Sequence, residues 1–276
     1  MPSTLRVLNL VGSLELAGTE QYIVRVAPLL PMVAAQIQAE FRRLLRVWEF
    51  TGFGLAFPLV LYVFIGLQGS GPGAADYHKY ALASMCAYAV VNIALSTFGI
   101  TVANERGTRM DALMRAAPVR PIAPLIGKTV AAVAFALVAL LLLYAAGIVL
   151  AGISMPFEQW FNLTWRLLLG IIPFICMGFA IGYLSGPSGA VLAVNLILLP
   201  MSFASGIFFP ITSLPAFIKD IAHYLPMYHL GHIAWNAVGV PEDNLSISVL
   251  WLAGYTIVFT ALTLWAVRRE DDRRFT

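Results

Sequence analysis

Residues 124–150 read PLIGKTVAAVAFALVALLLLYAAGIVL, a run in which Lys128 is the one charged side chain. A helix needs about 20 apolar residues to cross the hydrocarbon core of a bilayer, so this run predicts a transmembrane helix. The composition agrees, because 60% of the 276 residues are hydrophobic and 11% are charged. Soluble domains carry about 25% charged residues, and disordered chains are polar. A water-soluble globular protein and a disordered chain are therefore both excluded.

Five further apolar runs predict additional spans, which we place at about 51–67, 80–102, 167–185, 190–209 and 247–267. None of the five holds Asp, Glu, Arg or His. A charge at the bilayer centre costs at least about 2.5 kcal/mol, which makes such clean runs typical of membrane helices. Strands of a β-barrel would alternate apolar and polar residues, and these runs do not. We expect an all-α polytopic membrane protein with six transmembrane helices.

The basic residues predict how the chain is oriented. Fourteen of the seventeen Lys and Arg residues fall on one side of a six-span arrangement. They lie in the first 50 residues, in the loop after the second span and at the C-terminus. Cytoplasmic loops carry an excess of Lys and Arg. We therefore expect a multi-pass protein of the cell membrane with both termini in the cytoplasm, and the count favours an even number of spans.

The two ends of the chain lie outside the predicted spans. Residues 33–50 place apolar side chains at steps of three and four, which predicts an amphipathic helix. Its arginines and tryptophan suit the membrane interface, although a helix docked on a partner protein is the alternative. The residues that mark this interface helix are Phe41, Arg42, Arg43, Arg46 and Trp48. We expect a loose tail over 1–32, a membrane domain over 33–270 and a cytoplasmic tail over 271–276.

Glycines and prolines mark two special segments. Gly178, Gly182 and Gly186 recur every fourth residue, a spacing that lets helix backbones approach closely. They predict a helix-packing seam, within or between subunits, and a generic glycine-rich helix is an equal alternative. Residues 210–246 form short apolar pieces separated by prolines, too short to span. They predict a re-entrant helical hairpin before the last span, which would be an outer gate or a surface cap.

A search for catalytic or metal chemistry finds no supported site. The triplet Gly127-Lys128-Thr129 lacks the glycine that a P-loop needs five residues earlier. His229 and His232 lack a third ligand and a supporting acid, so we expect no metal there. Cys86 and Cys176 lie in apolar runs and act as small hydrophobic residues. We expect no catalytic residue and no cofactor on this chain.

The loop after the second span carries the most specific pattern. Residues 104–128 read NERGTRMDALMRAAPVRPIAPLIGK. Thr108 can cap a short amphipathic helix that Pro118 would end. Held between two spans, such a helix could transmit movement from a cytoplasmic partner. The alternative is a basic loop that only obeys the charge rule.

This loop resembles the conserved acid–Gly–Thr segment of type-2 ABC transporter permeases. The matching residues are Glu105, Gly107, Thr108, Leu113, Pro118 and the closing Gly127-Lys128. Ala117 and Met114 depart from the usual threonine and leucine. A second resemblance, to the outer hairpin of that family, lies in 205–210, 214–215 and 225–230. The resemblance covers roughly residues 34–270, and its nearest branch exports drugs and lipids.

The resemblance implies the transmembrane permease subunit of an ATP-driven ABC exporter, with an amphipathic drug-like or lipid-like substrate. Two cytoplasmic ATPase subunits would bind it and carry the ATP and Mg²⁺, so the chain itself would not be an enzyme. A second permease copy, in a homodimer or heterodimer, and membrane lipids would be its other partners, with no nucleic acid. The implied ATPase-coupling residues are Glu105, Gly107, Thr108, Leu113 and Pro118. The implied outer-gate residues are Phe208, Phe209, Pro210, Pro215, Tyr228 and His229.

Two other functions remain as alternatives. An ion-coupled secondary transporter would usually need an intramembrane acid or base. The six runs hold no Asp, Glu, Arg or His, and Lys128 lies near the edge of the third run. A membrane-embedded enzyme would need paired acids, an activated nucleophile or metal ligands near the membrane face. Glu105 is the one acid beside the inner end of a span, apart from those at the termini.

Overall fold

The computed structural model describes residues 48–69, 73–108, 122–240 and 245–274, together with helical positions 37, 38 and 42. All regular structure in these ranges is helical, without a strand. Within the described part, five helices are long and apolar enough to cross a membrane, and the shorter apolar helix Gly54–Gly66 precedes them. The predicted all-α membrane fold is confirmed. The sixth span and the re-entrant character of the hairpin stay predictions.

The described helices run in chain order from α1 to α8. Their bounds are Trp48–Leu61 (α1, continued by a π turn at Tyr62–Gly66), Ala74–Gly107 (α2), Ile122–Ala151 (α3), Phe157–Leu184 (α4), Pro187–Ala204 (α5), Ala216–Ala222 (α6), Pro226–Ala237 (α7) and Leu245–Arg274 (α8). We call the end of the bundle where α2 ends and α3 begins the arginine-rich end. The opposite end, which holds α6 and α7, is called the hairpin end.

Helix α2 is the centre of the bundle. Its 34 residues would extend about 51 Å at roughly 1.5 Å per residue. Every residue from Ala81 to Val91 is buried, and α1, α3, α4 and α7 all pack against this helix. A helix that is apolar on all sides is expected in the interior. Helix α2 is therefore enclosed by other helices over its middle part.

Helices α2 and α4 cross at very close range. An ideal Cβ on Gly178 would lie 2.9 Å from Cβ of Phe98, and one on Gly182 would lie 2.8 Å from the Phe98 carbonyl oxygen. On the α2 side the crossing falls on a π turn at Ser96–Ile100. Two of the three glycines of the predicted seam therefore lie at a contact within the chain. Gly186 lies outside it, with no atom within 4 Å of its Cβ position.

Helix α4 begins at Phe157, well before the predicted span start at residue 167. Its first half is amphipathic, with Leu163 and Leu167 fully buried and Phe157 and Phe161 exposed. Arg166 directly precedes the predicted span 167–185 and lies within this first half. The Arg166 guanidinium donates to Oδ1 of Asn236 at 2.8 Å, so this arginine is satisfied within the helical segment Phe157–Gly170, which a turn at Ile171 separates from the rest of α4.

Helices α5 and α8 lie at the periphery. They are the least buried of the five long helices, and their outward faces carry large apolar side chains such as Leu192, Leu196 and Leu250. Helix α8 packs on the second half of α4 and on α7. Its last residues run to Arg274, into the predicted tail 271–276. Apolar faces of this kind suit lipid or another membrane helix as neighbours.

The N-terminal region is described at few positions. Positions 37, 38 and 42 are helical and fall within the predicted interface helix 33–50, and Arg42 is exposed there. Phe41, Arg43 and Arg46 lie outside the described residues, as does the predicted tail 1–32. Trp48 is the first residue of α1.

Candidate functional site

A buried ion pair joins the end of α2 to the start of α3. Nζ of Lys128 lies 2.5 Å from Oε1 of Glu105, and the two side chains are 6% and 12% exposed. Removing one partner of a buried pair leaves an uncompensated charge and costs about 3–5 kcal/mol. The pair joins the end of α2 to the first turns of α3. Residues 109–121, which include the predicted coupling residues Leu113 and Pro118, lie outside the described residues.

The next residue, Arg106, ties α2 to the end of α4. Its Nη1 donates to the carbonyl oxygens of Gly182 at 2.5 Å and Tyr183 at 2.9 Å. The guanidinium carbon lies 5.1 Å from the centroid of the Tyr183 ring. The last carbonyls of a helix have no partner within the helix, and a cation is favourable at that end. Arg106 therefore caps α4, a role that the sequence reasoning missed.

Gly107 brings the end of α2 against the start of α5. An ideal Cβ on Gly107 would lie 2.2 Å from Cγ of Pro187, so a side chain cannot be added without moving that rigid ring. Thr108 follows as the last described residue before the loop. Its hydroxyl donates back to the carbonyl oxygens of Asn104 at 3.1 Å and Glu105 at 3.2 Å. The helix that Thr108 was predicted to cap lies outside the described residues.

Three consecutive residues of α2 thus contact three different helices. Glu105 contacts α3, Arg106 contacts α4 and Gly107 contacts the first residue of α5. Of the predicted coupling residues, the structure therefore places Glu105 and Gly107 in this junction and Thr108 at its edge. We call residues 105–107 with their partners the α2 junction. This junction therefore joins the end of α2 to α3, α4 and α5.

Comparison with known proteins decides the family. The sequence profile described as "ABC-2 family transporter protein" matches residues 64–265. This chain belongs to the ABC-2 transporter family. The permease is also 25% identical over 238 residues to the Bacillus subtilis (strain 168) protein named "Putative transport permease YvfS", a match that covers 84% of this chain and 96% of the relative. The resemblance to type-2 ABC permeases is confirmed.

Family membership makes the chain a multi-pass transmembrane component of an ABC transporter. The family is one of transporter subunits rather than enzymes, and its permeases pair in general with an ATPase subunit.

Polar side chains within the spans of the permease are mostly satisfied by their own helices. Ser202 donates to the Leu198 carbonyl at 2.7 Å, and Asn195 donates to the Val191 carbonyl at 2.9 Å. Bonds of this kind satisfy a hydroxyl or amide without a second helix. These bonds give Ser202 and Asn195 a role within their own helix.

The hairpin end of the permease contains the residues predicted for an outer gate. Phe208 is buried, with its ring centroid 5.2 Å from that of Tyr88 and 4.8 Å from that of Phe203. Phe209, the next residue, is exposed, and so is Pro215. Pro210 is half-buried and precedes a 3₁₀ turn at Ile211–Ser213. The predicted gate residues therefore divide into a packed group and a surface group.

His229 belongs to the packed group and is 3% exposed. Its Nε2 donates to the His223 carbonyl at 3.0 Å, and Nδ1 lies 3.3 Å from the Ser248 hydroxyl of α8. Its ring stacks on Trp251, with a centroid distance of 5.3 Å. Burial lowers the pKa of His229 to about 4. The imidazole is therefore neutral near pH 7 and links α7 to α8.

The hairpin is also anchored on α2 by residues that the sequence reasoning did not single out. Nε1 of Trp235 donates to the Ser84 hydroxyl at 2.8 Å, and the Trp235 ring stacks on Tyr80 with a centroid distance of 4.8 Å. The Tyr80 hydroxyl donates to the Gly206 carbonyl. Tyr228 lies beside them, with its ring centroid 4.1 Å from that of His232. Helix α2 therefore contacts the hairpin in its first half and forms the α2 junction with its last residues.

Proposed function

We propose that this permease exports an amphipathic, drug-like or lipid-like substrate, driven by ATP hydrolysis on separate ATPase subunits. Two permease copies would pair, as a homodimer or a heterodimer, and two ATPase subunits carrying ATP and Mg²⁺ would bind them. In this proposal the arginine-rich end faces the cytoplasm, because Lys and Arg are retained on that side of a membrane. The hairpin end then faces outward.

The observation that carries the proposal is the α2 junction. Glu105, Arg106 and Gly107 tie one helix end to α3, α4 and α5. An ATPase that moves the segment 105–118, which includes Leu113 and Pro118, would therefore move several spans together. ATP can shift the conformational equilibrium only through its different affinity for the two states. A rigid junction would transmit the resulting movement of the ATPase to the spans.

The hairpin supports an outward gate in this scheme. Phe208, Tyr228 and His229 hold it in a buried aromatic cluster, and Phe209 and Pro215 lie at its surface. The exposed apolar faces of α5 and α8 offer contact areas for the second permease copy and for membrane lipids. An amphipathic substrate would enter from the cytoplasm or the inner leaflet and leave beside the hairpin.

The test measures how far the permease, co-purified with its cognate ATPase, stimulates the rate of ATP hydrolysis. Glu105→Ala should lower the stimulation, but it also leaves Lys128 buried without its carboxylate. The double variant Glu105→Gln with Lys128→Met avoids this problem, because it removes both charges and keeps similar volumes. We expect the double variant to insert and to co-purify, with stimulation lowered several-fold.

The matched control is Asp220→Asn, a change of charge at an exposed residue of α6. It should leave stimulation unchanged. Full stimulation and full efflux by the double variant would show that the Glu105–Lys128 pair has no part in coupling. Stimulation without efflux in wild type would instead refute the export proposal.

A further inference from the structure

A cavity of about 480 Å³ lies at the hairpin end, between the first turns of α2 and α4 and the residues that follow α7. Sites for small ligands have volumes of roughly 300–1,000 Å³. The polar side chains on its wall include Asp76 and Lys79 from α2 and Gln159 from α4. Neither the predicted coupling loop nor the hairpin core uses these three residues.

Most other polar groups on the wall are already engaged. The Tyr77 hydroxyl donates to the Ile65 carbonyl at 3.1 Å, and the Tyr80 hydroxyl donates to the Gly206 carbonyl. In contrast, Oε1 of Gln159 is buried and accepts no hydrogen bond among the described residues. Buried polar atoms are nearly always paired, so an orphaned acceptor on a cavity wall points to a ligand that donates.

The charges on the wall define the ligand further. Asp76 and Lys79 form no ion pair with each other or with other residues in the described ranges. The cavity therefore presents one acid, one base and one orphaned amide oxygen. An ammonium group could donate to Asp76 and Gln159, and an anionic group could accept from Lys79. A ligand with only one sign of charge would face one of the two side chains unfavourably.

The surroundings place this ligand at a membrane surface. On the same first half of α4, Phe157 and Phe161 are exposed and stack with a centroid distance of 6.3 Å. Trp160 and Trp165 lie nearby on this helix, and tryptophan is enriched at the level of lipid head groups. We propose that the cavity binds the zwitterionic head group of a phospholipid, with an ammonium and a phosphate as in phosphoethanolamine. The inference rests on the membrane fold and holds whether or not the permease exports.

The test uses the purified full chain in detergent, without the ATPase, so that the exporter proposal does not enter. Binding is followed as the rise in melting temperature on titration with dihexanoyl phosphatidylethanolamine. Dihexanoyl phosphatidylglycerol tests the need for the ammonium, and soluble phosphoethanolamine tests the need for the lipid chains. Wild type should bind the ethanolamine lipid at least tenfold more tightly than either of the other two.

Two variants locate the site. Gln159→Leu should weaken binding of the ethanolamine lipid about tenfold while leaving the unliganded melting temperature unchanged or higher, because it removes an unpaired buried acceptor. Asp76→Asn should reduce the preference for the ethanolamine lipid over the glycerol lipid. Glu158→Gln is the matched control, since Glu158 is exposed beside Gln159 and does not line the cavity.

Three results would overturn the inference. The first is equal affinity of wild type for the two lipids, and the second is wild-type affinity in both Gln159→Leu and Asp76→Asn. The third is equal affinity for soluble phosphoethanolamine, which would make the ligand a soluble zwitterion instead of a lipid.

Discussion

Replacing Gly182 by alanine should separate α2 from α4. The new Cβ would lie 2.8 Å from the Phe98 carbonyl oxygen and 3.0 Å from the Gly99 carbonyl oxygen, whereas ordinary contacts begin near 3.4 Å. Because both blocking atoms belong to the backbone, neither can rotate away. Overpacking costs about 1–3 kcal/mol, and alanine regains up to about 1 kcal/mol through its helix preference. With a cost near the middle of that range, about 2 kcal/mol, and the full gain of about 1 kcal/mol, we expect a net loss of about 1 kcal/mol.

The matched control is Gly254→Ala in α8, where no atom lies within 4 Å of the Cβ position. There only the helix preference acts, so this variant should gain up to about 1 kcal/mol. Melting in detergent measures both, at about 2–4 °C for each kcal/mol. The two changes should therefore have opposite signs. If Gly182→Ala melts at or above the wild-type temperature, α2 and α4 do not cross as closely as described.

Three further predictions concern single side chains. Arg106→Lys keeps the charge but loses the planar group that reaches two carbonyls and the Tyr183 ring. The stability should therefore fall by about 1–2 kcal/mol, and ATPase stimulation should fall with it. Equal melting temperatures of variant and wild type would contradict the capping role. Burial lowers the pKa of His229 to about 4, so between about pH 6.5 and pH 4 the unfolded chain takes up a proton that the folded chain does not, and the stability should fall by at most about 1.4 kcal/mol per pH unit as the pH falls. The variant His229→Gln should therefore show a flatter dependence of melting temperature on pH in that window. An unchanged slope would assign the pH dependence to other groups. Arg166→Met removes the hydrogen bond to Asn236. Amide hydrogen exchange should therefore become faster in α7, Pro226–Ala237, and stay unchanged in α5, Pro187–Ala204. Unchanged exchange in α7 would mean that this hydrogen bond does not hold the hairpin.

Local composition predicted the apolar helices well. The run 124–150 lies inside Ile122–Ala151, because length and hydropathy alone decide whether such a segment spans. Helix α4 begins at Phe157, before the predicted span start at residue 167, and therefore includes Arg166. Its partner, Asn236, lies far along the chain. No local pattern shows that a charged side chain will find such a partner.

The contacts of the α2 junction likewise depend on residues that lie far apart in the sequence. Glu105 and Gly107 were singled out because they match a motif. The adjacent Arg106 was counted only as one more basic residue of the loop, yet it reaches the Gly182 and Tyr183 carbonyls. Lys128 was noted at the edge of its run, without its partner. Which of several neighbouring charges is buried depends on how α2, α3 and α4 pack.

The π turn in α2 sets the rotational phase between the two ends of the molecule. Tyr80 and Ser84 contact the hairpin before the turn at Ser96–Ile100, and Glu105 meets Lys128 after it. A π turn holds one residue more than the α-helix around it, and each residue of an α-helix turns the chain by about 100°. Shortening this segment by one residue would swing the Glu105 carboxylate about a quarter-turn away from the ammonium group, while the distant aromatic anchor stayed in place. The extra residue of the π turn therefore sets the angle between the two contact surfaces at opposite ends of α2.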